Sequence, residues 1–406
     1  MKIKALAGLG TMILAACGAA AGNRDTSAGS TTSSGSGGDS ATASGSTTSG
    51  KPATTGASSS TGAGSSTGAG TTTTTSTGTG AGTGSSAVTV YVTPDTSIAG
   101  QIAAAIDGAK TSVHMTMYIL DNSGIVDALV SRAKAGVEVQ VVLNQTFPAG
   151  TVQSNPATYT TLTAAGAKVV WRNGPPNAAT GAYTHEKAFI LDNAQAWIMT
   201  MNLDGSAPEY NREYIVVDNT PADVAEAEAI FLADFGGTAI TAGNPLVVSP
   251  DPPDNSRSAL VALIDSATHS VDVEVEEFSD NYSGGITSAV AAAAKRGVTT
   301  RVILANSTPE SSQTTAIATV KAAGAKVVVS GGTSGGGTAA SPYIHAKAIT
   351  IDCTGTTCAR GYLGSENFSA GSLGYNRELG LILDNPTELA KVEAAIDGDF
   401  SAGTAQ

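Results

Sequence analysis

Only three cysteines and four histidines occur in 406 residues, and basic residues are scarce: 21 Lys and Arg against 34 Asp and Glu, a net charge of −13. Each shortage excludes something. An acidic balance works against tight, sequence-independent nucleic-acid binding, which depends on neutralising phosphates, although it leaves room for a local basic pocket. Two of the cysteines, Cys353 and Cys358, lack the further ligands nearby that a metal centre would need. As an even pair in an exported chain they predict a disulfide. The apolar run at the N-terminus, which stops at Leu14, is too short for a comfortable transmembrane span.

That run begins after Lys2 and Lys4 and ends in Leu14-Ala15-Ala16-Cys17. It reads as a secretory signal, and its last four residues resemble the lipobox of bacterial lipoproteins, whose cysteine is acylated and becomes the new N-terminus. Acylated Cys17 would tie the protein to a membrane without spanning it. The expected location is therefore exported, on a bacterial outer membrane or cell surface. Residues 18–87 are almost all Ser, Thr, Gly and Ala, with TTTTTSTGTGAGTGSS as the extreme. Without apolar periodicity such a segment cannot bury enough surface to fold, and it reads as a disordered linker with a span of roughly 45 Å. Four basic and two acidic residues precede residue 88, so the remaining body carries 17 and 32, a net of −15.

The body repeats itself. SIAGQIAAAIDGAKTSVHMTMYIL (97–120) matches SRSALVALIDSATHSVDVEVEEF (256–278), each an amphipathic helix and then an alternating strand. VDALVSRAKAGVEVQVVLN (126–144) matches ITSAVAAAAKRGVTTRVILAN (286–306), and LTAAGAKVVWRNG (162–174) matches VKAAGAKVVVSGG (320–332). The halves close with NREYIVVDN (211–219) and NRELGLILDN (376–385), each followed by a helix. Alternating helices and strands imply parallel pairing with helices covering the sheet. The predicted fold class is α/β: two tandem α/β/α sandwich repeats, 88–245 and 246–406, related by a pseudo-two-fold, with one site shared at their interface.

Two of the four histidines sit in the same frame, His185-x-Lys187-x4-Asp192 and His345-x-Lys347-x4-Asp352. On a strand, residues two apart share a face, so each lysine lies beside its histidine. A single match would be a modest signal; two at equivalent repeat positions make a strong one. Asn202 follows Asp192 by ten residues and Asn367 follows Asp352 by fifteen, the surplus coinciding with CTGTTC (353–358). Glu213 and Glu378 each stand eleven residues beyond their asparagine.

HxKx4D twice, each with a downstream Asn and Glu, resembles the phospholipase D superfamily, or HKD family, over essentially all of 88–406. The resemblance implies that both motifs meet at the interface of the halves in one metal-independent phosphodiesterase site that needs no cofactor. Chemistry agrees: charge spreads over the non-bridging oxygens of a phosphodiester, so positioning and electrostatics dominate. Lys187 and Lys347 would supply charge, and Asn202, Asn367, Ser365 and Thr200 hydrogen-bond donors. One histidine attacks phosphorus and the other protonates the leaving alcohol. His185 is the expected nucleophile and His345 the acid, and pseudo-symmetry leaves the reverse open. By analogy a carboxylate of the opposite half, Glu213 or Glu378, holds each histidine's second nitrogen. Asp192 and Asp352 differ in parity from His and Lys and are expected to organise the framework.

One departure concerns Met199-Thr200, where members of the superfamily commonly carry Gly-Ser, as Gly364-Ser365 does here. Methionine would add bulk where backbone approaches phosphate. His114 is expected to be on the surface or locally hydrogen-bonded, His269 exposed, and Asp272, Glu274 and Glu276 to form a solvated or site-rim face. FPAGTVQSNPATY (147–159) and SGGTSGGGTAASPY (330–343) read as mobile loops at the site. The expected function is phospholipid hydrolysis or head-group transfer through a phosphohistidine, by a monomer, since both motifs are in one chain. A nuclease or other phosphodiesterase with the same site, or a catalytically weak binding module, are the alternatives. Nucleic acid is the less favoured partner, on charge.

Overall fold

The helix Ile98–Gly108 buries Ile98, Ile102 and Ile106, spaced four apart and so on one face. Its counterpart Ser256–Ser266 buries Leu260, Leu263 and Ile264. Helices end where the repeated glycines take φ of +84° at Gly136 and +86° at Gly297, a left-handed conformation that costs glycine nothing. These elements belong to a computed structural model that describes residues 87–148, 154–240, 246–251, 253–307 and 309–406. The signal-like segment, Cys17 and the linker up to residue 86 lie outside them. Among the described residues no helix is long and apolar enough to cross a membrane.

Each half builds one sheet. The first has the order Val88–Val92, Tyr214–Asp218, Gln195–Met199, Lys187–Leu191, Ser112–Met117, Glu138–Asn144, Lys168–Arg172. The second runs Thr404–Ala405, Lys326–Ser330, Thr299–Ala305, Ser270–Val275, Lys347–Ile351, Arg360–Gly364, Glu378–Leu383, Leu246–Ser249. The expected parallel pairing holds for three strands of each sheet, which helices connect. The rest is antiparallel. The reason is local. After Leu191 the chain turns back at once through Asp192 and Asn193, with φ of 55° and 51°, and a hairpin needs no crossover helix. The α/β class with two tandem repeats stands, with mixed sheets.

Among the described residues three apolar cores follow. One lies under the helices of each half, and a third, containing Ile198, Val216, Leu363 and Leu381, joins the two sheets. The halves also pair backbone to backbone. Tyr343–Ile344 runs parallel to Asn211–Arg212, and Thr184 bridges to Arg377. Cys353 and Cys358 form the predicted disulfide. Part of the predicted loop 147–159 is helical instead: Asn155–Ala164 is a helix with Pro156 in its first turn, where proline's missing N–H has no partner to lose.

Candidate active site

The crossed ladders set the geometry. N–H groups of His185 and Glu186 both donate to the Arg377 carbonyl, at 2.9 and 2.8 Å, and the His345 N–H donates to Arg212 O at 3.3 Å. Each motif histidine is thereby pinned beside the residue that precedes a glutamate of the opposite half. Nδ1 of His185 lies 2.9 Å from both oxygens of Glu378, and Nδ1 of His345 lies 2.8 Å from Glu213 Oε1. A carboxylate only accepts, so Nδ1 carries the proton and Nε2 is left as the reactive nitrogen. Burial alone would push the Glu378 carboxyl up. The facing His185 and Lys187 and the hydrogen bonds from His185 and Ser372 outweigh it and hold the carboxyl below its ordinary range.

Both lysines are buried, with ammonium groups bent back onto the carbonyls of their own histidines. Lys187 lies 5.1 Å from the centre of the Tyr118 ring, whose face attracts cations, and the same ring meets His185 edge-on at 4.6 Å. Lys347 instead donates to Glu276 at 2.9 Å. Glu276 also accepts from the Tyr343 hydroxyl at 2.8 Å and from Asn367 at 3.4 Å, and lies 3.4 Å from Nε2 of His345. Its burial raises its carboxyl, but His345 and Lys347 dominate and hold it at about 2. Of the expected solvated or site-rim face, the solvated reading fails: Asp272, Glu274 and Glu276 are all buried. Asp272 pairs with Arg301, Glu274 accepts from Tyr214, and Glu276 enters the site.

The two motif aspartates stand outside the reacting groups. Asp192 accepts from the N–H groups of Lys110, Thr111 and Ser112 at 2.7–3.0 Å, and Asp352 from those of Thr268, His269 and Ser270 at 2.6–3.3 Å. Each clamps the turn between a repeat's first helix and the strand that follows it to the end of its motif strand. For Asp192 these donors outweigh desolvation and hold the carboxyl at about 2.

The hydroxyl proton of Thr200, an expected phosphate donor, is taken by Glu213, whereas Ser365 Oγ only accepts a backbone N–H, which leaves its O–H for the expected role. The Thr200 hydroxyl donates to Glu213 at 2.5 Å and accepts from Tyr214 N, while Ser365 Oγ accepts from Leu379 N at 3.0 Å. They brace the strands that carry the glutamates. Asn211 and Asn376 donate to Glu213 and Glu378 at 3.0 and 3.3 Å, and Ser372 donates to Glu378 at 2.6 Å. Asn202 and Asn367 are both buried. Met199 does not crowd the site either: its side chain is buried in the first half's helix-side core, with Met201, Ile215 and Trp197. His114 is buried rather than on the surface, bonded to Glu228 at 2.7 Å and stacked on Phe231; His269 is exposed.

Two features escaped the sequence reading. The Arg212 and Arg377 guanidiniums reach across the interface, to Asp399 at 2.6 Å and to Asp234 at 2.8 Å, tying each Asn-Arg-Glu segment to the other half's last helix. The repeated Asn-Arg-Glu triplet and the repeated Asp-Phe pairs at 234–235 and 399–400 were the available signal. Behind His185, burial and the carboxylates of Asp234 and Glu378 push Glu186 up to about 8, and Glu366 also lies well above the usual range. Nothing in the repeat announces Glu186, whose counterpart is Ala346.

The sequence profile described as "Cardiolipin synthase, PLD-like domain" matches residues 102–235 and again 260–400, once per repeat and over more than half of the chain. The chain belongs to the phospholipase D superfamily. This is a superfamily of phosphodiesterases and phosphotransferases. The phosphatidylserine synthase of Haemophilus influenzae Rd KW20 is similar in fold, with a TM-score of 0.55 at 12% identity over 79% of this chain and 87% of that one. So is polyphosphate kinase from Porphyromonas gingivalis, with a TM-score of 0.57 at 14% identity over 76% of this chain. The chain spans only 46% of that kinase. No curated protein sequence matches. At these identities the likeness is one of fold, and it extends across both repeats of this phospholipase D-like chain.

Proposed function

We propose that this member of the superfamily cleaves phospholipid phosphodiesters, by hydrolysis or by head-group transfer to an alcohol, through a phosphohistidine. The observation that carries the reading is the crossed pair of dyads, His185–Glu378 and His345–Glu213, each joining the two halves and each with a lysine two residues along. His185 faces one carboxylate and an aromatic edge, whereas both nitrogens of His345 face carboxylates, Glu213 and Glu276. A second carboxylate favours the imidazolium. His345 is accordingly the acid and His185 the nucleophile.

In the first step Nε2 of His185 bonds to phosphorus as the bond to the leaving alkoxide breaks, and His345 gives that oxygen its proton. In the second, now neutral His345 takes a proton from water or an alcohol, whose oxygen bonds to phosphorus while the P–N bond breaks. Lys187 and Lys347 hold the charge of the non-bridging oxygens throughout. The lipid substrate rests on the superfamily and on the membrane anchor that acylated Cys17 would supply; the body's net charge of −15 disfavours nucleic acid. The proposed location is the bacterial surface or outer membrane, with the protein acting as a monomer.

The test offers the full chain in detergent phosphatidylcholine vesicles, with and without EDTA and ethanol, and follows choline release. Release that survives EDTA and falls at least 100-fold in His185→Ala is expected. Loss in EDTA would overturn the metal-free route. Cleavage of single-stranded DNA without choline release would move the substrate class to nucleic acid.

A further inference from the structure

Superposing the repeats strand by strand, Ser112–Met117 on Ser270–Val275, sets Tyr118 against Glu276. Lys187 pairs with Met117 and Lys347 with Val275, so the two residues hold equivalent places next to a motif lysine. In the first half that place is a neutral ring. In the second it is a carboxylate whose Oε2 lies 2.9 Å from Lys347 Nζ, 3.4 Å from Asn367 Nδ2 and 3.4 Å from His345 Nε2. Those three groups are the second half's share of the phosphate site in the function proposed above. A single anionic oxygen of the protein already sits where all three converge, anchored from behind by Tyr343.

We propose that Glu276 is a specificity-determining residue that limits the phosphorus centre to one negative charge, admitting monoanionic diesters and rejecting dianionic monoesters and free phosphate. The inference rests on the phosphodiester reading of the site. Its physics is like-charge repulsion in a buried setting. Lys347 is partly neutralised before substrate arrives, so each further negative charge on the ligand adds repulsion from Glu276. A monoanion adds only one such repulsion and is met by Lys187 as well, which lies over the Tyr118 ring. Hydrolysis converts a monoanionic diester into a monoester that acquires a second charge, so the same carboxylate weakens the hold on product.

Tungstate and perrhenate separate charge from shape, both being tetrahedral oxyanions, with two charges and one. Their binding to the full chain is measured by titration calorimetry at pH 8, for the wild type and for Glu276→Gln, with turnover of bis(p-nitrophenyl) phosphate followed in parallel. The wild type is expected to bind perrhenate at least as tightly as tungstate, and Glu276→Gln to shift that ratio at least 10-fold towards tungstate. A shift under threefold, or a variant that binds neither anion, overturns the proposal. Should the variant not fold, the wild-type ratio decides: tungstate bound more than 10-fold tighter than perrhenate overturns it. Absence of diester turnover with the expected shift counts against the phosphodiesterase reading alone; turnover with an unshifted ratio counts against Glu276 alone.

Discussion

The Glu378 carboxylate of the second half lies 2.9 Å from Nδ1 of His185 in the first, and Glu213 answers it at His345. The repeats are therefore chemically incomplete alone: each supplies a histidine and holds the other's. Ser372 and Asn376 brace Glu378 much as Thr200 and Asn211 brace Glu213.

Replacing Glu378 by Gln keeps the shape and removes the charge that fixes the His185 tautomer. We expect kcat to fall by about 100-fold with KM within threefold, since the group orients a reactant without holding substrate. Steady-state kinetics on a soluble diester checks this. A rise in KM with unchanged kcat would remove Glu378 from the nucleophile's support.

Arg377 is buried and paired with Asp234 and Asp254, at 2.8 and 3.0 Å. Arg377→Ala leaves two buried carboxylates uncompensated and should cost about 3–5 kcal/mol in urea unfolding. Because Arg377 also precedes Glu378, activity should fall with stability. A loss under 1 kcal/mol would show the interface is held elsewhere.

Met199 and Gly364 occupy equivalent places but opposite surroundings. A Cβ on Gly364 would lie 2.3 Å from Tyr362 Oη and 2.5 Å from Gly380 Cα, so Gly364→Ala should destabilise by overpacking. Met199→Gly empties part of an apolar core and should cost about 3–5 kcal/mol without raising turnover. Thermal denaturation and diester kinetics on both variants decide it. Higher turnover in Met199→Gly would return that side chain to the site.

Glu186 binds its proton more tightly in the folded state, at about 8, than the ordinary 4.5 of an exposed glutamate. Stability from this difference is fully present below pH 4.5 and is lost as pH rises through 8, by up to about 5 kcal/mol. Glu186→Gln should flatten the decline between pH 5 and pH 8 measured by urea unfolding. An unchanged slope would show that Glu186 ionises freely.

Much of this was legible in the chain. HxKx4D written twice, each with a downstream Asn and a Glu eleven residues beyond it, named the groups, because a shared site in a duplicated fold repeats its residues in the same order. Asn-Arg-Glu was also visible, but its arginines act on Asp234 and Asp399, partners 143 and 187 residues away. Nothing in local spacing reports such distances. Met199 looked like an intrusion because a one-dimensional comparison does not say which face of a strand a residue takes; parity with Thr200, which turns to Glu213, puts methionine in the core.

By itself the sequence determined the duplication, the α/β elements, the disulfide pair and the two His-Lys pairs, since each depends on residues close in the chain or on their repetition. Tertiary structure alone decided which glutamate serves which histidine, that the arginines lock the halves, and that Glu276 lies on Lys347 while Tyr118 fills the equivalent place. Those outcomes depend on how two sheets face each other, and that is set by packing and buried charge between segments far apart in sequence.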